Sequence, residues 1–143
     1  MEEKIVSNSV AGQKRKWSQV VIDKAIENLA AAQDCFQRNQ FNAAANRAYY
    51  AMYHAAVAAL NETGYVSERV DGRWQHGTLK RAFNLQLGPA GSGLFPERCY
   101  RYLDDGYAIR VKADYRPDNV EKEEAAEIVQ WCSDMVQIIR KQM

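Results

Sequence analysis

The chain has 143 residues and a formal net charge of +1, with 47% hydrophobic and 26% charged residues. This length and balance predict one globular domain with its own core, and the small net charge excludes a global bias toward nucleic acid. The three cysteines are widely spaced without a CxxC pair, which argues against a disulfide framework or zinc site and favours a cytoplasmic protein. No apolar run reaches the roughly 18 residues of a membrane span, and the sequence lacks signal-peptide features, so we expect no membrane association.

The pattern of apolar residues predicts helices, with little sign of strand. Residues 1–16 are polar, and we interpret them as a mobile N-terminal segment. From Trp17 onward, apolar positions such as Val21, Ala25 and Leu29 follow the 3.6-residue period of a helix, and glycine and proline clusters mark the breaks. The predicted helices cover about residues 17–38, 42–63, 74–85, 96–112 and 121–141.

The second predicted helix is unusually rich in alanine. Small side chains on several faces let neighbouring helices approach closely, so we expect this helix at the centre of the fold. A break of only two residues, Asn39-Gln40, separates it from the first helix, and the two should form an antiparallel hairpin. Together the elements predict an all-α, up-and-down bundle of four long helices and one short helix over residues 17–143.

The most informative segment is residues 46–56 of the second helix, where an arginine, three tyrosines and one of only two histidines interrupt an apolar run. Arg47 and His54 are nearly two turns apart, so both side chains leave the helix on one face, about 10 Å apart along its axis. Tyr50 lies between them. This polar stripe forms either a hydrogen-bonded structural network or a binding site, and Tyr53 serves either core packing or base stacking.

A second candidate is His76, at the start of the short third helix. It is interpreted either as a surface or capping residue or as part of a site. The basic residues Arg69, Arg73, Lys80 and Arg81 would then form a positive rim around it, although a solvated charged face is the default interpretation of such a group.

The end of the fourth helix holds a third candidate. Arg110 and Asp114 are four residues apart, which is the spacing of a helix-end ion pair. Alternatively, Arg110 turns inward toward the second helix, where a charge pair has to be well hydrogen-bonded.

The chain resembles the HEPN domain family. Arg47-Ala-Tyr-Tyr-Ala-Met-Tyr-His54 is similar to the signature helix of that family, and His76, Leu79 and Phe83 are similar to its short helix. The features occur in the family's order and at its spacings.

The resemblance continues at the end of the fourth helix and covers about residues 17–140. Arg110-Val-Lys-Ala-Asp114-Tyr115 is similar to the Arg-x-x-Ala-Asp-Tyr stretch of a bacterial and archaeal branch of stand-alone HEPN proteins. A last helix with an acidic start follows, as in the family.

This resemblance implies a protein that handles RNA or nucleotide, because many HEPN domains are metal-independent ribonucleases of toxin–antitoxin or defence systems. They build an Arg-x4–6-His site across a homodimer and use no metal or cofactor. Here Arg47 or Arg110 would hold the phosphate and His54 would transfer the proton, in an endoribonuclease reaction that leaves a 2′,3′-cyclic phosphate. The substrate-binding residues would be Tyr50, Tyr53, His76, Asp114 and Tyr115.

An alternative function follows from a departure from the nuclease motif. In the family the nuclease motif lies near the end of the bundle, which corresponds here to Arg110 through Tyr115. That stretch contains no histidine, and Asp114 carries a negative charge that would repel phosphate. The alternative is a non-catalytic HEPN partner subunit that binds a nucleotidyltransferase, an antitoxin or another protein. A plain helical scaffold similar to tetratricopeptide packing is a third hypothesis, which the lack of a second repeat of about 34 residues disfavours.

Overall fold

A computed structural model of the protein describes the backbone of residues 2–143 and the side chains of residues 17–143. Helices joined by loops, without strands, make up the described part, and the predicted all-α, up-and-down bundle is confirmed. No described helix combines the length and apolar character that a bilayer span requires. The helices are α1 (Glu2–Gln37), α2 (Phe41–Glu62), α3 (His76–Leu87), α4 (Glu97–Tyr115) and α5 (Lys122–Lys141).

Most predicted helix bounds lie within three residues of the observed ones. The exception is α1, which begins upstream of the predicted start at Trp17. The predicted mobile segment over residues 1–16 lies outside the residues whose side chains are described, and it stays a prediction. Helix α4 continues to Tyr115 because no helix breaker occurs before Pro117, and the residue preceding a proline disfavours helical backbone.

A tight turn joins α1 to α2. Asn39 adopts a left-handed backbone conformation with φ of 61°, which asparagine tolerates better than most residues. The Asn39 amide donates to the Phe36 carbonyl at 3.0 Å, and the Gln40 amide donates to the Cys35 carbonyl at 2.9 Å. These bonds satisfy carbonyl groups at the end of α1 and return the chain along it.

Helix α2 is the centre of the bundle, since it contacts each of the other four helices. Eight of its alanines are buried, which leaves room for close neighbours. Gly106 of α4 allows a similarly close approach, because a Cβ added there would lie 2.5 Å from Cε of Met52. The glycine thus brings the C-terminal half of α4, with Arg110, alongside the polar stripe of α2.

Helix α5 closes the bundle against α1, α2 and α4. Its first turn is fixed by a capping box between Glu121 and Glu124, which satisfies two backbone N–H groups. Glu124 also accepts a hydrogen bond from Lys112 at 2.7 Å. This contact ties the last turns of α4 to the start of α5.

Candidate functional site

A cleft of about 770 Å³ lies between α2, α3, α4 and the loop over residues 63–75. Its lining includes three arginines, two histidines and five aromatic rings, and no carboxylate occurs among the described residues that line it. The lining thus combines cationic groups with aromatic surface. The lining residues are Tyr49, Tyr50, Tyr53, His54, Arg69, Arg73, Trp74, Gln75, His76, Gly77, Tyr107 and Arg110.

The predicted site residues divide between the cleft and its edge. Those that line the cleft are Tyr50, Tyr53, His54, His76 and Arg110. Those outside the lining are Arg47, Asp114 and Tyr115. A network of contacts that begins at Arg110 connects the second group to the first.

Arg110 is held between two aromatic rings. Its guanidinium carbon lies 5.4 Å from the ring centroid of Tyr50 and 5.3 Å from that of Tyr115, which are cation–π distances. Nη2 donates to the Tyr50 hydroxyl at 2.9 Å and to the Tyr115 hydroxyl at 3.5 Å. Nε lies 3.0 Å from Oδ2 of Asp114 but makes no aligned hydrogen bond. The guanidinium is thus fixed in place between two rings and beside one carboxylate.

Asn46 connects this cluster to Arg47. Its Nδ2 donates to both carboxylate oxygens of Asp114, at 3.1 and 2.9 Å, and its Oδ1 accepts from Nε of Arg47 at 2.9 Å. Arg47 also donates from Nη1 to Asn28 of α1 at 3.1 Å, and its guanidinium carbon lies 5.5 Å from the Tyr50 ring centroid. Arg47 is therefore an exposed cation at the edge of the cleft that belongs to a structural network.

His54 is half-buried in the wall of the cleft, beside the rings of Tyr50 and Tyr53. Burial, helped by the positive charges of Lys24 and Arg47, lowers the pKa of His54 to about 4. The imidazole is therefore neutral at pH 7, with one nitrogen able to accept a proton. It makes no hydrogen bond to the described residues, which leaves that nitrogen available to a ligand.

His76 makes specific contacts that join three helices. Its Nδ1 lies 2.9 Å from the Tyr49 hydroxyl of α2, and its ring stacks on Tyr107 of α4 at 3.9 Å. Nε2 lies 3.7 Å from Oδ1 of Asp104, which Lys80 also contacts at 2.8 Å. Burial and the nearby charge of Lys80 lower the pKa of His76. These contacts give the ring a positioning role at the junction of α2, α3 and α4.

The loop over residues 63–75 forms the fourth wall of the cleft. Tyr53 anchors its end, because the hydroxyl accepts from the Trp74 amide at 2.8 Å and donates to the Trp74 carbonyl at 3.0 Å. Arg69 and Arg73 both pair with Asp71 at 3.2 Å. The two hydrogen bonds of Tyr53 thus fix the end of the loop that carries Arg69 and Arg73.

Several residues of the site differ from the sequence-based expectations. Of the predicted positive rim, Arg69 and Arg73 line the cleft, whereas Lys80 and Arg81 are not among its lining residues. Asn46 carries no pattern that would distinguish it from a surface amide. Tyr107 lies on the predicted inner face of the fourth helix, and this position predicts packing in the core but not a place in the lining of the cleft.

The chemistry of the cleft is that of cations, tyrosines and a neutral imidazole. Among the described residues, no three His, Cys, Asp or Glu side chains come together as metal ligands would. Guanidinium groups suit the paired oxygens of a phosphate, and the tyrosine rings offer faces on which a base can stack.

The anchor on the loop predicts the behaviour of Tyr53→Phe. This substitution leaves the Trp74 amide and carbonyl without their partner, so we expect the free energy of unfolding to fall by about 1–3 kcal/mol. Trypsin should also cleave the native protein faster after Arg69 or Arg73. Tyr65→Phe is the control, because the Tyr65 ring is exposed. Equal cleavage rates in the two variants would contradict the anchoring role.

The lowered pKa of His54 predicts a pH dependence of stability. The folded state resists protonation down to about pH 4, whereas the unfolded state takes up the proton near pH 6.5. The unfolding free energy attributable to a neutral His54 is therefore fully present above pH 6.5 and is lost as the pH falls toward 4. Urea titrations should show the wild type losing stability relative to His54→Gln over this interval. A constant difference between the two proteins would refute the expectation.

Similarity to known proteins spans the described bundle. The HEPN domain family matches residues 18–142. The chain is 32% identical over 127 residues to a Methanocaldococcus jannaschii protein named "Putative toxin MJ0605", with 89% of each chain covered. It is 29% identical over 97 residues to "UPF0332 protein glr0978" of Gloeobacter violaceus, covering 68% of this chain and 71% of the relative. Because the family match extends from within α1 through the last turn of α5, this chain belongs to the HEPN domain family.

Proposed function

We propose that this HEPN protein is toxin-like, binds RNA in the cleft and cleaves it without a metal ion. The observation that carries the proposal is the lining of the cleft, where three guanidinium groups and a neutral imidazole meet with no carboxylate among the described lining residues. The name of the Methanocaldococcus jannaschii relative supports the toxin-like role. A toxin–antitoxin or defence system is the setting that this proposal implies.

In the proposed reaction, the ribose 2′-oxygen forms a bond to phosphorus while the bond to the 5′-oxygen breaks, which leaves a 2′,3′-cyclic phosphate. His54 accepts the 2′-hydroxyl proton, and the departing 5′-oxygen takes a proton from water. Arg110 binds the non-bridging phosphate oxygens and stabilises the charge that develops on them. Arg47 extends the positive surface toward a neighbouring phosphate.

The remaining site residues act through position in this proposal. Tyr50 and Tyr53 offer ring faces for stacking of a base, and Tyr50 together with Tyr115 fixes the guanidinium of Arg110. Asp114 orients the same guanidinium from outside the cleft. His76 holds the start of α3 at the cleft through its contacts to α2 and α4.

One specific observation favours the alternative of a non-catalytic partner subunit. Asp114 lies beside Arg110 in a stretch that contains no histidine, and both of its oxygens accept hydrogen bonds from Asn46. A carboxylate held in this way is a structural acceptor rather than a proton-transfer group. In the alternative, the protein binds a nucleotidyltransferase or antitoxin and performs no chemistry itself.

The deciding experiment measures binding and cleavage of a mixed-sequence single-stranded RNA in EDTA. We expect His54→Gln to retain binding and to lose cleavage by about 10²–10⁴-fold. Arg110→Ala should weaken binding by about 10- to 100-fold, as loss of a charge-assisted contact does. Arg101→Ala is the matched control, because Arg101 is exposed and pairs with Glu97.

The possible outcomes separate the two functions. Cleavage retained by an Arg110→Ala, His54→Ala double variant would refute the catalytic assignment. Binding that depends on Arg110, without cleavage, would restrict the proposal to RNA handling. Absence of both would favour the partner-subunit function.

We further propose a homodimer, in which α2 and α4 lie near the interface. Light scattering at tens of micromolar protein should then give about twice the 16.3 kDa mass of one chain. A monomeric mass at that concentration would contradict this arrangement.

A further inference from the structure

Two arginines of the cleft converge on a single carboxylate oxygen in the loop between α2 and α3. Nη2 of Arg69 and Nε of Arg73 each lie 3.2 Å from Oδ2 of Asp71. The other oxygen, Oδ1, accepts the backbone N–H of Arg73 at 3.0 Å. Asp71 itself is not among the residues that line the cleft, whereas both arginines are. The Asp71 carboxylate therefore pairs with two arginines of the cleft while lying outside the cleft lining.

The backbone of the loop brings the two arginines together independently of the charge on Asp71. The Ser67 hydroxyl accepts from the Arg69 amide at 3.2 Å and donates to the Arg73 carbonyl at 2.7 Å. Between them, Gly72 has a φ of +72°, and its amide donates to the Arg69 carbonyl at 3.0 Å. The convergence of Arg69 and Arg73 is thus built into the turn.

The ion pairs themselves are easily exchanged. The side chains are 46% exposed for Arg69, 43% for Asp71 and 75% for Arg73, and ion pairs between exposed groups contribute little stability. An RNA phosphodiester has one negative charge and two non-bridging oxygens, as a carboxylate does, so it can accept hydrogen bonds from the same two guanidinium groups. An incoming phosphate can therefore take both arginines from Asp71.

We propose that Arg69 and Arg73 form a second phosphate subsite of the cleft, and that Asp71 competes with RNA phosphate for it. The inference rests on the proposed function for the identity of the ligand. Arg110 on α4 binds one phosphate, and the loop arginines of the same cleft bind another phosphate of the same strand. Asp71 lowers the affinity for RNA, because its carboxylate pairs with both arginines until a phosphate displaces it.

The test variant is Asp71→Asn, which removes the charge and keeps an Oδ1 acceptor for the Arg73 amide. We expect it to bind single-stranded RNA about three- to tenfold more tightly than the wild type at low salt, because two weak exposed pairs are removed. Asp105→Asn is the matched control. Asp105 is exposed on the same protein and forms no ion pair with the described residues, so its substitution measures the effect of net charge alone.

A double-mutant cycle locates the effect at the two arginines. In an Arg69→Gln, Arg73→Gln background, the gain from Asp71→Asn should disappear. A gain that persists there, or one that Asp105→Asn reproduces, would overturn the inference. Wild-type binding that depends on Arg110 but is unaffected by Asp71→Asn would overturn it while leaving the proposed function intact. RNA binding by none of these proteins would refute both.

Discussion

The close packing around α2 is the constraint on which the rest of the structure depends. Its buried alanines remove bulk on several faces, so that each of the other helices reaches its surface. Gly106, which also lacks bulk, allows α4 to approach α2 closely. Because the helix axes lie close together, long polar side chains on α2 and α4 meet one another rather than solvent. The candidate site is therefore a consequence of small residues placed nearby.

Tyrosine hydroxyls provide hydrogen-bond acceptors for the part-buried guanidinium of Arg110. A carboxylate directed into the cleft would neutralise its arginines and repel an anion, whereas a phenol accepts a hydrogen bond without adding a negative charge. Tyr50 does this for Arg110 and also presents its ring to Arg47. Asp114 supplies its charge from outside the lining. The carboxylates that pair with the arginines of the cleft thus lie outside its lining, and the surface that a ligand would meet carries guanidinium groups and phenols.

Sequence patterns predicted the bundle well because helix periodicity and breakers are local properties. The polar stripe on α2 was also visible, and the structure brings His54 and Tyr50 of that stripe to one cleft with Arg110. The choice between a network and a site could not be made from the sequence. It depends on Asn46 meeting Asp114 across 68 residues of chain, which is a property of how α4 packs on α2. The structure shows the network, which lies at the edge of the cleft, and the binding site is the function that we propose for the cleft.

The loop shows where local patterns are least informative. Arg69 and Arg73 were predicted as part of a rim around His76, together with Lys80. Only the fold distinguishes them: Lys80 pairs with Asp104 on α4 and lies outside the lining of the cleft, whereas the loop arginines, which pair with Asp71, line it. Equal charges at similar positions in the sequence thus acquire different environments from residues far along the chain.

The position of Asn46 between two charged side chains has a consequence for the polarity of the cluster. Its oxygen faces the guanidinium of Arg47, and its nitrogen faces the carboxylate of Asp114. An amide in this place can have only one orientation, since a flipped group would direct donor at donor and acceptor at acceptor. Aspartate would lack the donor, and leucine would lack both groups. The neutral amide of Asn46 therefore connects a cation on α2 to a carboxylate on α4 through hydrogen bonds of fixed direction.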